Sequence, residues 1–169
     1  GEKDAARKNV IHALTHHNWS RCAVSVRING LDTPYCYRDI VEVVEQAGQR
    51  IDTLLIPKVN APADVLFVAT LLAQIEVAKG LKPIGIHALI ETARGMANVE
   101  AIAATCPERL EALVFGVADF AASTQARVTS MGGANPDYAV LTHADEHGGR
   151  VRHWNDQWHY ALSRLVIAC

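Results

Sequence analysis

A chain of 169 residues, half of them hydrophobic and with a mean hydropathy of +0.07, has the size of one domain and enough apolar material to bury a sizeable core. Its formal charge of −2, with the 16 basic residues scattered, excludes a general attraction to nucleic acid or to an anionic membrane. No apolar run approaches the ~20 residues of a membrane helix, the polar amino terminus does not read as a secretory signal, and Cys22, Cys36, Cys106 and Cys169 form no C-x-x-C or C-x-x-H pair, so the expected compartment is a reducing cytoplasm.

Residues 2–18 have helix-forming composition, with Ala5, Val10, Ala13 and Leu14 as the expected buried stripe. Residues 23–30 follow as a strand with Val24, Val26 and Ile28 on one face and Ser25, Arg27 and Asn29 on the other. Asp32-Thr33-Pro34 opens a helix that runs to Gly48, residues 53–59 form a second strand, and Pro62 starts a helix of about 18 residues ending at Gly80.

Ile84 to Gly95 is the stretch around which the chain is organised. Alternation puts Ile84, Ile86, Ala88 and Ile90 on a uniformly aliphatic face, and Gly85, His87, Leu89 and Glu91 on a face that turns polar at its carboxyl end. A helix is expected from about Met96 to Thr105, and residues 112–119 read as a fourth strand ending at Asp119. The strands begin near 23, 53, 84 and 113, the spacing of one βα unit, so a parallel sheet is expected.

Each strand ends in polar residues: Arg27 with Asn29, Lys58, Glu91 and Asp119. A closed (β/α) barrel gathers such ends around one mouth better than an open doubly wound sheet does. The fold class is therefore α/β, an incomplete TIM (β/α)8 barrel of about four parallel strands with their helices. A full barrel takes ~250 residues, so residues 1–169 are expected to be a partial barrel, a fragment of something longer. Residues 120–154, rich in Gly, Asn, Asp and His, form a long insertion after the fourth strand, followed by an amphipathic helix from Asn155 onwards.

Glu91 and Asp119 are able to hold one hard cation between them, since Mg²⁺ keeps several waters and needs few protein ligands; on spacing alone, a solvated carboxylate or a helix cap is the commoner reading of each. Arg27 is either a bidentate clamp for a substrate carboxylate or the ion-pair partner of these acids. Lys58 fits ion pairing better than a Schiff-base role. His87 reads as a core histidine, and His143, Asp145, Glu146 and His147 as a solvated loop. His153, Trp154 and Trp158 read as packing residues, and Gly132-Gly133 and Gly148-Gly149 match no nucleotide-binding pattern.

Four motifs in order, Val26-Arg27-Ile28-Asn29-Gly30, Leu55-Ile56-Pro57-Lys58-Val59, Leu89-Ile90-Glu91-Thr92 and Phe115-Gly116-Val117-Ala118-Asp119-Phe120, resemble the malyl-CoA lyase and citrate lyase β-chain superfamily of aldolases. The likeness spans nearly the whole chain. Met131 to Tyr138 and Trp154 to Ala161 look most like its malyl-CoA/β-methylmalyl-CoA lyase branch. The resemblance implies Mg²⁺, with Mn²⁺ as the substitute, held by Glu91 and Asp119. Arg27 would bind the glyoxylate or malyl carboxylate, assisted by backbone N–H groups around Val117 and Ala118. The implied reaction is reversible cleavage of L-malyl-CoA to acetyl-CoA and glyoxylate, or of β-methylmalyl-CoA to propionyl-CoA and glyoxylate; a citryl-CoA-type lyase, another class II aldolase or a silent barrel-derived scaffold are the alternatives.

By the same resemblance the partners are an acyl-CoA thioester and glyoxylate, with neither nucleic acid nor membrane, in a homo-oligomer of three or six subunits. The family's first two strands would precede Gly1. Its last strands and a carboxy-terminal domain, which lends a catalytic Asp to a neighbouring subunit, would follow Cys169, and the isolated polypeptide is expected to be inactive.

Overall fold

The computed structural model describes residues 1–127, 135 and 137–169. Four parallel strands, β1 (Ser25–Arg27), β2 (Thr53–Ile56), β3 (Gly85–Ile90) and β4 (Leu110–Phe115), lie side by side in chain order. Their register pairs Arg27 with Leu55, Ile56 with Ala88 and Ile90 with Phe115, so the carboxyl ends of all four strands come out on one edge. The expected βα succession and its parallel sheet are present.

The aliphatic face of β3 is the one that packs. Ile84, Ile86, Ala88 and Ile90 are fully buried, as are Leu54 and Ile56 of β2, beneath α2 (Cys36–Ala47) and α3 (Pro62–Lys79). Burial of each such aliphatic side chain contributes about 1.5–3 kcal/mol. On α2, Cys36, Ile40, Val43, Val44 and Ala47 form the buried stripe. Pro62 opens α3 while the Asp64 carboxylate caps the N–H groups of Asn60 and Ala61, and Gly80 ends the helix in the left-handed conformation.

The opening helix α1 (Glu2–His16) departs from its expected stripe: Leu14 and Arg7 are buried, whereas Ala5 and Val10 are exposed. The reason is electrostatic. Arg7 Nε reaches Asp39 Oδ1 at 3.1 Å and its Nη1 reaches Asp4 and Glu42, so a buried guanidinium replaces an aliphatic contact between α1 and α2. α1 runs against β1: Lys3 near its start bonds Asn29 beyond the end of β1, while Leu14 and Trp19 lie in a cleft with Val24.

A second buried pair locks the amino end of β3. Glu76 accepts from both Nη atoms of Arg109 at 2.7 and 2.8 Å and from the Ile84 N–H at 2.8 Å, and Arg109 also donates to the Ile84 carbonyl. Such a fork is far stronger than a surface pair.

Five elements differ from expectation at their boundaries. The first two strands are shorter, because the Asn29 N–H turns to Asp39 Oδ2 and the backbone twists to a positive φ of 52° at Lys58. The helix expected from Met96 begins earlier, because Thr92 caps the Gly95 N–H, and is divided into α4 (Ala93–Ala97) and α5 (Val99–Ala103) at Asn98, whose N–H closes α4 on the Arg94 and Gly95 carbonyls while its side-chain amide donates to the Asn60 carbonyl. The fourth strand stops at Phe115: Gly116 caps α6 (Val117–Ser123), so Asp119 does not end a strand but lies in the first turn of a helix. The last helix, α7 (His159–Ala168), starts four residues late because Asp156 caps the Trp158 N–H and its carbonyl takes that of His159.

The expected insertion at 120–154 begins inside α6 and contains a two-stranded antiparallel ribbon, β5 (Ala139–Leu141) with β6 (Arg152–Trp154). Most of the Met131 to Tyr138 motif, including Gly132-Gly133, lies outside the described residues. No helix of the described residues is long and apolar enough to cross a membrane.

Candidate active site at the carboxyl ends of the strands

Glu91 is the centre of the polar edge. It follows β3 directly and is 2% exposed, with Oε1 accepting the Lys58 N–H at 2.9 Å. Oε2 has no hydrogen-bond donor among the described residues, yet it is not among the sealed unpaired atoms, so it keeps a small solvent-accessible surface. Burial pushes the carboxyl up; the Lys58 N–H pulls it back, the charge of Asp119 adds to the rise and the Arg27 and Lys58 cations oppose it, leaving it above its ordinary value. A buried carboxylate with a spare oxygen and a second acid beside it is short of positive charge.

Close approach around Glu91 is made possible by glycine. A Cβ at Gly116 would stand 2.5 Å from Glu91 Cβ and 2.7 Å from its Oε2. Gly95 plays a similar part below: a Cβ there would meet the Val59 carbonyl at 2.3 Å. The loop after β2 is tied to the end of β3 by Val59 N–H to Leu89 O and by Thr92 Oγ1 to Asn60 Oδ1 at 2.5 Å.

Lys58 Nζ stands 3.9 Å from Asp119 Oδ1, both half exposed, which is the ion pairing expected of Lys58. At that exposure the pair contributes little stability, and its ammonium is free to exchange. Asp119 caps no N–H group among the described residues: α6 has no side-chain cap, and its first N–H groups, Val117 and Ala118 among them, have no acceptor within the helix.

Arg27 ends β1 exposed and makes no hydrogen bond or ion pair among the described residues, so the ion-pair alternative is not realised. It lines a cavity of about 440 Å³ with Lys3, Asn29, Asp32, Thr33 and Lys58. Lys3, which sequence reasoning missed, donates to Asn29 Oδ1 at 2.8 Å and stands 5.9 Å from the Tyr35 ring centroid. Nothing in the local sequence around Lys3 announces this, because it depends on the direction in which α1 crosses the sheet.

The remaining candidates settle on the plain side. His87 is part-exposed on the inner face of β3, with Nε2 3.9 Å from Glu111 Oε2, rather than sealed in the core. Asp145 Oδ1 accepts the N–H groups of His147 and Gly149, making an exposed turn, and no group of three or more His, Cys, Asp or Glu able to hold a metal occurs among the described residues. Trp158 is buried against Phe115 and Phe120, while Trp154 stays half exposed under Arg152.

Glu91 and Asp119 suit a hard cation. Both offer oxygen only, Glu91 has a spare oxygen, and a positive ion would relieve the burial of its charge. Parallel βα units with carboxylates and cations gathered beyond the strand ends define a barrel-type α/β protein with its chemistry at the carboxyl edge. Residues 1–147 match the HpcH/HpaI aldolase/citrate lyase family, and the chain belongs to that family.

The chain is 48% identical over 169 residues, 99% of its length and 51% of the relative's, to the L-malyl-CoA/β-methylmalyl-CoA lyase of Cereibacter sphaeroides. It is 40% identical over 166 residues, 97% of its length and 47% of the relative's, to the malyl-CoA/β-methylmalyl-CoA/citramalyl-CoA lyase of Chloroflexus aurantiacus. Among solved structures, CitE of Mycobacterium tuberculosis in complex with magnesium, acetoacetate and coenzyme A superposes with a TM-score of 0.61 at 25% identity, over 99% of this chain and 48% of that one. The chain therefore spans about half the length of the curated relatives it matches.

Proposed function

We propose that this chain supplies the metal and carboxylate half of a Mg²⁺-dependent carbon–carbon lyase that reversibly cleaves L-malyl-CoA to acetyl-CoA and glyoxylate and β-methylmalyl-CoA to propionyl-CoA and glyoxylate. The observation that carries this reading is the buried Glu91, with one oxygen held by the Lys58 N–H and the other without a donor among the described residues, beside Asp119 and near Arg27, which has no hydrogen bond or ion pair among the described residues. The relatives' names and the magnesium in the tuberculosis protein support it.

In this reading Glu91 and Asp119 hold Mg²⁺, with Mn²⁺ as a substitute; bound there, it supplies Lewis-acid polarisation of the glyoxylate carbonyl. The Arg27 fork binds the glyoxylate carboxylate in this reading, and the backbone N–H groups of Val117 and Ala118, in the first turn of α6, are further donors to the same anion. The Lys58 N–H keeps Glu91 in one orientation, so that little rearrangement accompanies the change in charge. Residues 1–169 belong to the catalytic barrel, with 120–154 as its insertion, in a cytoplasmic homo-oligomer.

The test is turnover of the full-length gene product with L-malyl-CoA, glyoxylate release being followed as its phenylhydrazone with and without chelator. Release that needs Mg²⁺ is expected. Cleavage of citryl-CoA or citramalyl-CoA in preference to both malyl thioesters would overturn the assignment.

A further inference from the structure

His12 and His16 sit one turn apart on the exposed side of α1, at the end of the helix opposite Lys3 and therefore away from the polar mouth. Their rings stack face to face, centroids 4.0 Å apart and planes within 8°. His16 Nδ1 lies 3.0 Å from the His12 carbonyl oxygen and 2.8 Å from Thr15 Oγ1. A carbonyl only accepts, so in the neutral ring Nδ1 carries the proton and Nε2 keeps its lone pair. That arrangement, one ring nitrogen tied to a backbone carbonyl and the other free, is the one that orients metal-bound imidazoles. The His12 ring makes no hydrogen bond among the described residues.

We propose that His12 and His16 form a two-imidazole chelate for a borderline divalent transition ion such as Zn²⁺, Ni²⁺ or Cu²⁺, with water in the remaining positions. Spacing of four residues is what lets one helix present two imidazoles to a single ion. Imidazole suits these ions, whereas Mg²⁺ prefers oxygen, so this site and the Glu91–Asp119 pair sort ions by donor type. Opening the stack into a chelate takes only rotation of the exposed His12 side chain between staggered wells, while His16 keeps its bond to the His12 carbonyl. His17 is not part of the pair: it lies past the helix end in extended backbone, at φ −101° and ψ 156°, and meets His12 edge-on at 6.4 Å.

Titration of the chain with Zn²⁺ by calorimetry at neutral pH tests the assignment. The wild type should show a site that His12→Ala and His16→Ala each weaken by at least about tenfold, while His17→Ala, His143→Ala and His147→Ala leave it unchanged. Zn²⁺ should raise the melting temperature of the wild type but not of His16→Ala, because the bridge needs the folded helix. Undiminished affinity in His12→Ala and His16→Ala, or loss that follows His143→Ala or His147→Ala, would overturn it.

Discussion

Glu91 and Gly116 occupy one another's space: the glycine Cα closes over the carboxylate, and a methyl there would come within 2.5 Å of Glu91 Cβ. The acid is thus seated by the absence of a side chain on the neighbouring strand's exit. Gly116→Ala should push Glu91 off its seat, lowering stability by about 1–3 kcal/mol through overpacking and weakening Mg²⁺ binding. Urea denaturation together with a Mg²⁺ titration checks both; unchanged values in the two would mean that Glu91 is not held from this side.

Replacing Glu91 by Gln separates charge from shape. Burial disfavours the ionised carboxyl, so the neutral amide should leave the fold at least as stable at neutral pH. Loss of a direct ligand should reduce turnover of the complete enzyme by about 100-fold or more, since even indirect partners of metal ligands cost 10–100-fold. Near-normal turnover at limiting Mg²⁺ is the outcome that would remove Glu91 from the metal.

Arg27→Lys keeps the positive charge and loses the fork. Because Arg27 has no structural partner among the described residues, thermal stability should not change. The KM for glyoxylate should rise by about tenfold or more, the equivalent of one lost charge-assisted hydrogen bond, while that for the acyl-CoA stays near its wild-type value. An unchanged glyoxylate KM would take the carboxylate away from Arg27.

Glu76 sets a pH dependence remote from the site. Burial pushes its carboxyl up, but the Arg109 fork and the Ile84 N–H outweigh that and hold it below the ordinary 4.5. The folded value being the lower one, the stabilisation is complete above pH 4.5 and is lost as pH falls through the depressed value. Glu76→Gln should remove this acid limb and, by stranding Arg109, cost roughly 3–5 kcal/mol at neutral pH. Melting curves measured from pH 3 to 7 would show the flattening; a parallel shift with the limb retained would contradict the assignment to Glu76.

What could be read from the residues was whatever depends on local period. Ile84 to Ile90 alternates so regularly that its buried face, its direction and the placing of Glu91 at its end all follow, and the structure has them so. Asp119 was misplaced because Val117 and Ala118 extend an apolar run that reads as strand, whereas Gly116 has already turned the chain into a helix. Contacts that join distant segments left no local trace: Arg7 with Asp39, Glu76 with Arg109, and Lys3 at the mouth. The β5–β6 ribbon was missed because strands of three residues are too short to display alternation.

The donor that orients Glu91 belongs to the main chain of Lys58, in a left-handed turn, and not to its side chain. Position 58 is therefore an adjustable dial for the local electric field. Glycine, which accepts that turn without strain, or a neutral or acidic group, can retune the charge facing Asp119 while the anchoring of the carboxylate carries on untouched, which makes this residue the natural first choice for varying the charge around the two acids without moving them.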